Sequence, residues 1–301
     1  MRPAIIKSGT IDLDMVETTP IVFRDKVYRF EYVRANYWAN ETGDSYFRFV
    51  DHETGCPSEP FARGYHLGNV FVEDETLFVT GTDQWDGERV DIFMSRNIVD
   101  WDSWNALNLP GYGIFNTSAC RVKDLYVLMF EIGKPKEIAG HRFTARFATS
   151  PDMRRWTLSP PECTYSKDRY TAPHCLRYLD GYYYNFYLES IPGAWEQCVV
   201  RSRDLVKWDL SPLNPVLQAG DEDRQIANPN LSEEQRERVR TAQNINNSDI
   251  DFCEHDGQLI INYSWGDQMG IEHLAEARYD GTLAEFLLAW FPDASPPAQK
   301  S

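Results

Sequence analysis

Four carboxylates stand at the ends of short apolar strand candidates, the kind of placement from which acid–base chemistry is done. Glu17 precedes TTPIVF, Glu131 closes YVLMFE, Glu189 closes YYYNFYLE, and Asp249 lies in NNSDIDF. Carboxylates crowded into one site push their pKa values apart, so that one stays protonated while another is ionised. Such a pair can act as general acid and as general base or nucleophile. Glu17 is expected to be the base or nucleophile. Glu189 is expected to be the acid, because the strand before it is apolar and aromatic, and Glu131 is its rival. Asp249 and Asp251 alternate along a strand, so both would face one side and could pair; the other reading is that they are turn residues. Around them, His66, His174, Asn116, Arg34, Asp83 and Asp251 are candidate ligand-binding groups, and Trp85 and Trp265 are candidate ring platforms. Trp38, Trp195 and Tyr37 occupy similar positions after strand candidates.

Those residues need a scaffold, and an internal repeat indicates one. SRNIVDW, SPDMRRW and SRDLVKW each put a serine six residues before a tryptophan (Ser95/Trp101, Ser150/Trp156 and Ser202/Trp208), at intervals of roughly fifty residues. Hairpin signals recur beside them in IVFRDKVYRFEYV, NVFVEDETLFVTG, SACRVKDLYVLMFE, HCLRYLDGYYYNFYLE and IDFCEHDGQLIINYSW. Each is an apolar strand, a two-residue polar turn and a second strand. A third strand candidate follows. Repeated antiparallel units of this kind point to an all-β, five-bladed β-propeller in one domain. The blades are expected at about 15–64, 65–114, 115–169, 170–220 and 245–292. Residues 221–244 read as a helical insert between the fourth and fifth, since Ser232 and Gln235 have capping-box spacing. Residues 4–14, or the segment 282–291, would close the ring; the latter reads equally well as a helix. The serine–tryptophan segments are expected to fasten the outer parts of neighbouring sheets.

The bulk numbers limit the partners. A net charge of −16 and a pI near 4.8 disfavour nucleic acid and anionic membranes. The Met1 end shows no long apolar signal segment, and six cysteines stand singly, so a cytoplasmic location is expected. No His/Cys metal-ligand spacing occurs, so neither a cofactor nor a transition metal is expected; an axial cation or water held by the funnel carboxylates is the alternative left open. Oligomeric state is not legible. Aromatic residues make up 14 % of the chain, which suits large sheet surfaces and ring platforms alike.

With five blade units, edge motifs of the S-x-D-x-x-x-W kind and the segment APHCLRYLDGYYYNFY, the chain resembles the five-bladed propeller glycoside hydrolases, family 43 and its invertase-like and neoagarobiose-hydrolase-like relatives. The likeness extends over about residues 15–292. It implies three carboxylates at the central axis: an Asp opening the first blade as base, an Asp opening the third that tunes its partners, and a Glu opening the fourth as acid. Here those openings read V-E-T-T-P, F-N-T-S and T-A-P-H, with Thr19, Asn116 and Thr117, and Thr171 in place of the acids and Glu17 the nearest carboxylate. What the resemblance implies is a glycosidase acting on short, uncharged oligosaccharides or glycosides in an axial funnel. The other readings are a propeller that binds carbohydrate without turnover, and a phosphorylase, lyase or epimerase on the same scaffold. The insert is expected to wall off one end of the groove.

Overall fold

The computed structural model describes residues 2–40 and 43–292. After the first strand, β1 (Ile6–Leu13), the chain builds antiparallel groups in succession. β2 (Thr18–Phe23), β3 (Lys26–Val33) and β4 (Tyr46–Asp51) form a three-stranded sheet. β5 (His66–Glu73), β6 (Thr76–Thr82), β7 (Arg89–Ser95) and β8 (Asp102–Asn108) form a four-stranded one. β9 (Ile114–Val122) and β10 (Leu125–Ile132) are followed by the one-turn helix α1 (Lys136–Ala139). β11 (Thr144–Ser150), β12 (Thr157–Leu158) and β13 (Thr164–Tyr165) complete that five-stranded sheet. β14 (Cys175–Leu179), β15 (Tyr182–Ile191), β16 (Ala194–Ser202) and β17 (Trp208–Leu210) form the fourth group. A 3-10 turn (Asp221–Arg224) and helix α2 (Glu233–Thr241) precede the last group, β18 (Asn246–His255), β19 (Gln258–Gly266) and β20 (Glu272–Asp280). β1 pairs with β20 as that group's outer strand, so the N-terminal strand joins the last sheet. A single parallel bridge, Trp195 to Asn246, links the fourth and fifth groups. Helix α3 (Leu283–Ala289) follows, so the segment 282–291 is helical over those residues, and the strand added to the last sheet lies in 4–14.

The hairpins form where the turn chemistry requires them. Arg24 and Asp25, Asp74 and Glu75, Asp180 and Gly181, and Asp256 and Gly257 all have positive φ at both central positions. That is the primed geometry whose twist matches paired strands. The serine–tryptophan segments repeat one local structure. The Ser95 and Ser202 hydroxyls accept from the amides two and three residues on, and the Ser150 hydroxyl accepts from Asp152. Ile98, Met153 and Leu205 then take positive φ. The tryptophan lands on the preceding sheet: Trp101 stacks on Phe61 with centroids 3.8 Å apart, and Trp208 donates its indole N–H to the Thr164 carbonyl at 2.9 Å.

Apolar side chains collect in seams between successive groups. Phe30, Phe47 and Val79 fill the first seam, Val90, Leu128 and Phe130 the second, Met129, Phe147 and Tyr187 the third. Phe186, Phe252, Tyr263 and Trp290 fill the fourth, where α2 and α3 add Val239 and Phe286. The innermost strands are neighbours in order: β2 packs on β5, β5 on β9, β9 on β14, β14 on β18, and β18 on β2.

At the centre the contacts are polar. Asp251 Oδ2 accepts from Thr19 Oγ1 (2.9 Å) and Asn69 Nδ2 (3.0 Å). Its Oδ1 accepts from Arg177 and from the Phe252 amide. Removing one partner of a buried pair leaves the other charge uncompensated, at a cost of about 3–5 kcal/mol. Asp251→Ala is therefore expected to destabilise the chain by about that amount, strands Arg177, and loosens four strand groups at once. Urea unfolding checks it; a loss under about 1 kcal/mol would show that the central carboxylate is dispensable.

Candidate active site

At one end of the innermost strands lies a cavity of about 470 Å³. Its floor is set by residues that open those strands: Glu17 before β2, Leu67 in β5, Asn116 in β9, Pro173 before β14 and Asp249 in β18. Arg34, Trp85 and Asp267, each following a second strand, also reach it.

Glu17 and Asp249 sit in different electrostatic settings. Glu17 carries an ion pair with Arg34 at 3.3 Å, and the Arg34 guanidinium lies over the Tyr32 and Tyr37 rings. Asp249 is turned into the cavity by a β-bulge: its φ is +53°, and the β18–β19 register shifts between Ser248 and Asp251. Its Oδ2 accepts from Ser248 Oγ (2.6 Å) and Ser264 Oγ (2.8 Å). Burial, then the nearby Glu17 charge, push its carboxyl up to about 7 against those hydroxyls. Glu272, opening β20, also lines the cavity and accepts from the Gln268 amide (2.8 Å) and from Asn246 Nδ2. Burial and the neighbouring Asp249 hold its carboxyl well above the usual range. A carboxylate paired with a guanidinium and two carboxyls raised by burial thus share one cavity, unlike settings of the kind acid–base catalysis uses.

The remaining predicted residues lie elsewhere. Glu189 does not line the cavity; Arg169 holds its carboxylate with contacts of 2.9 and 3.2 Å, so the expected acid is occupied by an ion pair. Glu131 is fully buried below the floor, where it accepts from the His174 amide (3.0 Å), His174 Nδ1 (2.8 Å) and Asn116 Nδ2 (3.0 Å). It therefore orients Asn116 and His174 and does not meet a ligand. His174, its other ring nitrogen 3.1 Å from the Thr171 hydroxyl, belongs to that unit. His66 is buried with Nδ1 2.7 Å from the Tyr32 hydroxyl; burial and Arg34 push it down to about 4, keeping it neutral. Asp83 does not line the cavity and packs against the turn at Gly87. Asp251 does not pair with Asp249, because the bulge breaks their alternation and sends Asp251 to Arg177, Thr19 and Asn69. Trp265 is fully buried, its indole N–H donating to Thr10 Oγ1 (2.9 Å). Nor does the insert wall the cavity. It braces β1, through Lys7 to Asp223 (2.7 Å) and Arg238 to Asp14 (2.7 Å).

Thr19 and Thr171, at two openings where the family resemblance implies acids, are buried hydroxyl donors to Asp251 and beside His174. Glu272 and Tyr170 are site residues that the sequence reading missed. Glu272 opens a third strand, and Tyr170 precedes a first one within a polar run. Among the described residues, no group of three or more His, Cys, Asp or Glu side chains is arranged to hold a metal ion.

The architecture has known counterparts among glycoside hydrolases. A thermostable family-43 glycoside hydrolase matches with a TM-score of 0.61 and 10% identity over 92% of this chain and 92% of that one. The catalytic domain of a family-62 α-L-arabinofuranosidase from Coprinopsis cinerea gives 0.60 and 9% over 91% and 97%. An α-L-arabinofuranosidase from Podospora anserina, solved in complex with cellotriose, gives 0.57 and 8% over 90% and 91%. These likenesses show the fold, in line with the resemblance drawn from the hairpins and edge motifs. No protein-family model and no curated protein matches the sequence.

Asp249 also ties the site to stability. A carboxyl raised from 3.8 to about 7 binds more protons folded than unfolded between those values, so its contribution falls as pH rises through that window. Asn tolerates positive φ and does not ionise. The thermal midpoint of Asp249→Asn relative to wild type is expected to climb from pH 4 to about pH 7 and then level off. A difference that stays flat with pH would contradict the raised carboxyl.

Proposed function

We propose that the chain is a glycoside hydrolase built as a closed five-bladed β-propeller, with β1 closing the last blade and the cavity at its axis. The observation that carries this reading is the pair Glu17 and Asp249 in one cavity, the first beside Arg34 and the second raised to about 7. The likeness to family-43 and family-62 hydrolases supports it. Asp249 gives its proton to the glycosidic oxygen as the bond to the anomeric carbon breaks. Ionised Glu17 supplies the electron pair to that carbon, either directly or by taking the proton of the attacking water. Arg34 pairs with Glu17 and holds it in place, and Asn116, fixed by Glu131, is placed to hydrogen-bond a sugar hydroxyl. The substrates are short glycosides held in a cavity of about 470 Å³. The six free thiols suit a reducing, cytoplasmic setting.

The test is turnover of a panel of nitrophenyl glycosides, α-L-arabinofuranosides and β-D-xylosides first. Glu17→Gln and Asp249→Asn are each expected to lower kcat by about 10²–10⁴-fold. For wild type, kcat/KM is expected to fall above about pH 7, where Asp249 loses its proton. In Asp249→Asn that limb disappears, and a 2,4-dinitrophenyl leaving group, which needs no proton, restores part of the rate. Sugar binding without turnover of any member of the panel would assign the chain to carbohydrate binding instead.

A further inference from the structure

The two sides of the cavity differ in chemistry. Most of its charged and hydrogen-bonding groups, Glu17, Arg34, Asp249, Gln268 and Glu272, come from the first and last strand groups, with Arg142 and Asn116 added from the third. The facing side is a row of rings drawn from the second, third and fourth groups. Trp85 lies 5.5 Å from Phe115 between centroids, Phe115 4.5 Å from Phe143, Phe143 5.5 Å from Tyr170, and Tyr170 5.3 Å from Trp195. All four contacts are edge-to-face, and all rings but Phe115, which backs the row, line the cavity. Leu67, Ala172, Pro173 and Ile245 extend the apolar surface. Asn116 lies at the edge of this wall with one of its two amide N–H groups given to Glu131.

A single sugar finds its partners on the polar side, next to the two carboxylates. A second sugar against the rings would bring several hydroxyls out of water with Arg142 and Asn116 as the charged and amide partners there, and each buried hydroxyl left unpaired costs about 1–3 kcal/mol. Flat stacking of a pyranose wants a ring face bordered by hydrogen-bonding groups. Here the rings border chiefly on one another, with the Arg142 guanidinium over Phe115 and Phe143 as the charged neighbour. An aromatic group gives up no hydrogen bonds on entering such a row and adds one more edge-to-face contact.

Resting on the hydrolase reading above, we propose that the substrate class is a glycoside of an aromatic alcohol. Its one sugar lies on the carboxylate side, and its aryl aglycone lies against Trp85, Phe143, Tyr170 and Trp195. The leaving oxygen then sits between the walls, within the reach of the Asp249 proton.

Ground-state binding separates this from leaving-group reactivity. Asp249→Asn, which keeps the cavity and loses the acid, is titrated by calorimetry with phenyl and methyl β-D-xyloside, phenyl and methyl α-L-arabinofuranoside, xylobiose, arabinobiose and 4-nitrophenol alone. At least one phenyl glycoside is expected to bind tenfold or more tightly than its methyl counterpart and the matching disaccharide, and 4-nitrophenol to bind by itself. Trp195→Ala on the same background is expected to bring phenyl and methyl glycosides within about twofold of each other. Tyr170→Leu, which keeps apolar bulk, reduces the preference and guards against a folding defect in the first variant. A disaccharide that binds as well as the phenyl glycoside, a phenyl preference that survives both substitutions, or no binding of any aryl ligand would overturn the proposal. Turnover without a phenyl preference would overturn the aglycone assignment alone; aryl binding without turnover would overturn only the hydrolase reading.

Discussion

The structure depends on one buried carboxylate. Asp251 takes hydrogen bonds from Thr19 in the first strand group, Asn69 in the second and Arg177 in the fourth, while belonging itself to the fifth. Sheets that pack face to face need only apolar seams, and four such seams are filled here. Where innermost strands converge, backbones are close and apolar bulk has no room. A small acceptor with several donors around it satisfies that geometry. The Thr80–Thr117 hydroxyl contact (2.7 Å) and the Ser118 hydroxyl accepting from the Leu176 amide (3.0 Å) continue the same solution between the second, third and fourth groups. Glu17 and Asp249 can hold a fixed separation only because the strands beneath them are tied in this way.

The bulge in β18 lets one strand serve both purposes. Without the extra residue, Asp249 would share the face of Asp251 and be drawn into the structural network. With φ at +53°, it points to the cavity, where Glu17 and burial raise its pKa and two serine hydroxyls restrain the rise. The positive φ is a local strain, and strain held in place by surrounding hydrogen bonds is a common mark of functional positions. β5 has a comparable irregularity, with Leu67 at φ +53° and a register shift between His66 and Asn69. There it brings Leu67 to the cavity and turns His66 inward to Tyr32.

What the sequence disclosed followed from how local its cause was. The hairpins were legible because primed turns depend on a few adjacent residues, and the serine–tryptophan segments because hydroxyl-to-amide bonds two and three residues apart recur intact. The residues that open first strands reached the cavity as expected at Glu17, Asn116 and Asp249. The ends of second strands did not follow one rule. Arg34 and Trp85 reach the cavity, whereas β15 runs on to Ile191 and leaves Glu189 beside Arg169. Glu131 falls at a register shift between Phe130 and Ile132 that turns it under the floor. Trp265 was unreadable for another reason: its partner, Thr10, comes from the distant N-terminal strand. A bulge, an extra pair of strand residues or a long-range partner changes a side chain's direction without leaving a mark in the nearby sequence.

The contact between the last strand group and the first explains why the polar wall lies where it does. The apolar seams join neighbours along the chain, and the rings at their axial ends form the aromatic wall. The contact between the last group and the first has instead the Thr19–Asp251 bond (2.9 Å) and the His52–Glu276 contact (2.8 Å). Because that meeting is held by polar pairs, the carboxylates near it have hydrogen-bonding neighbours, with Tyr37 and Trp38 beside them. The sheet that carries Asp249 and Glu272 is completed by β1, so the acid's surroundings rest on a strand from the far end of the chain. The insert braces that strand through Lys7, Thr10 and Asp14. Its effect on the cavity is therefore indirect: it fixes the sheet that positions Asp249 and Glu272 and does not itself line the cavity.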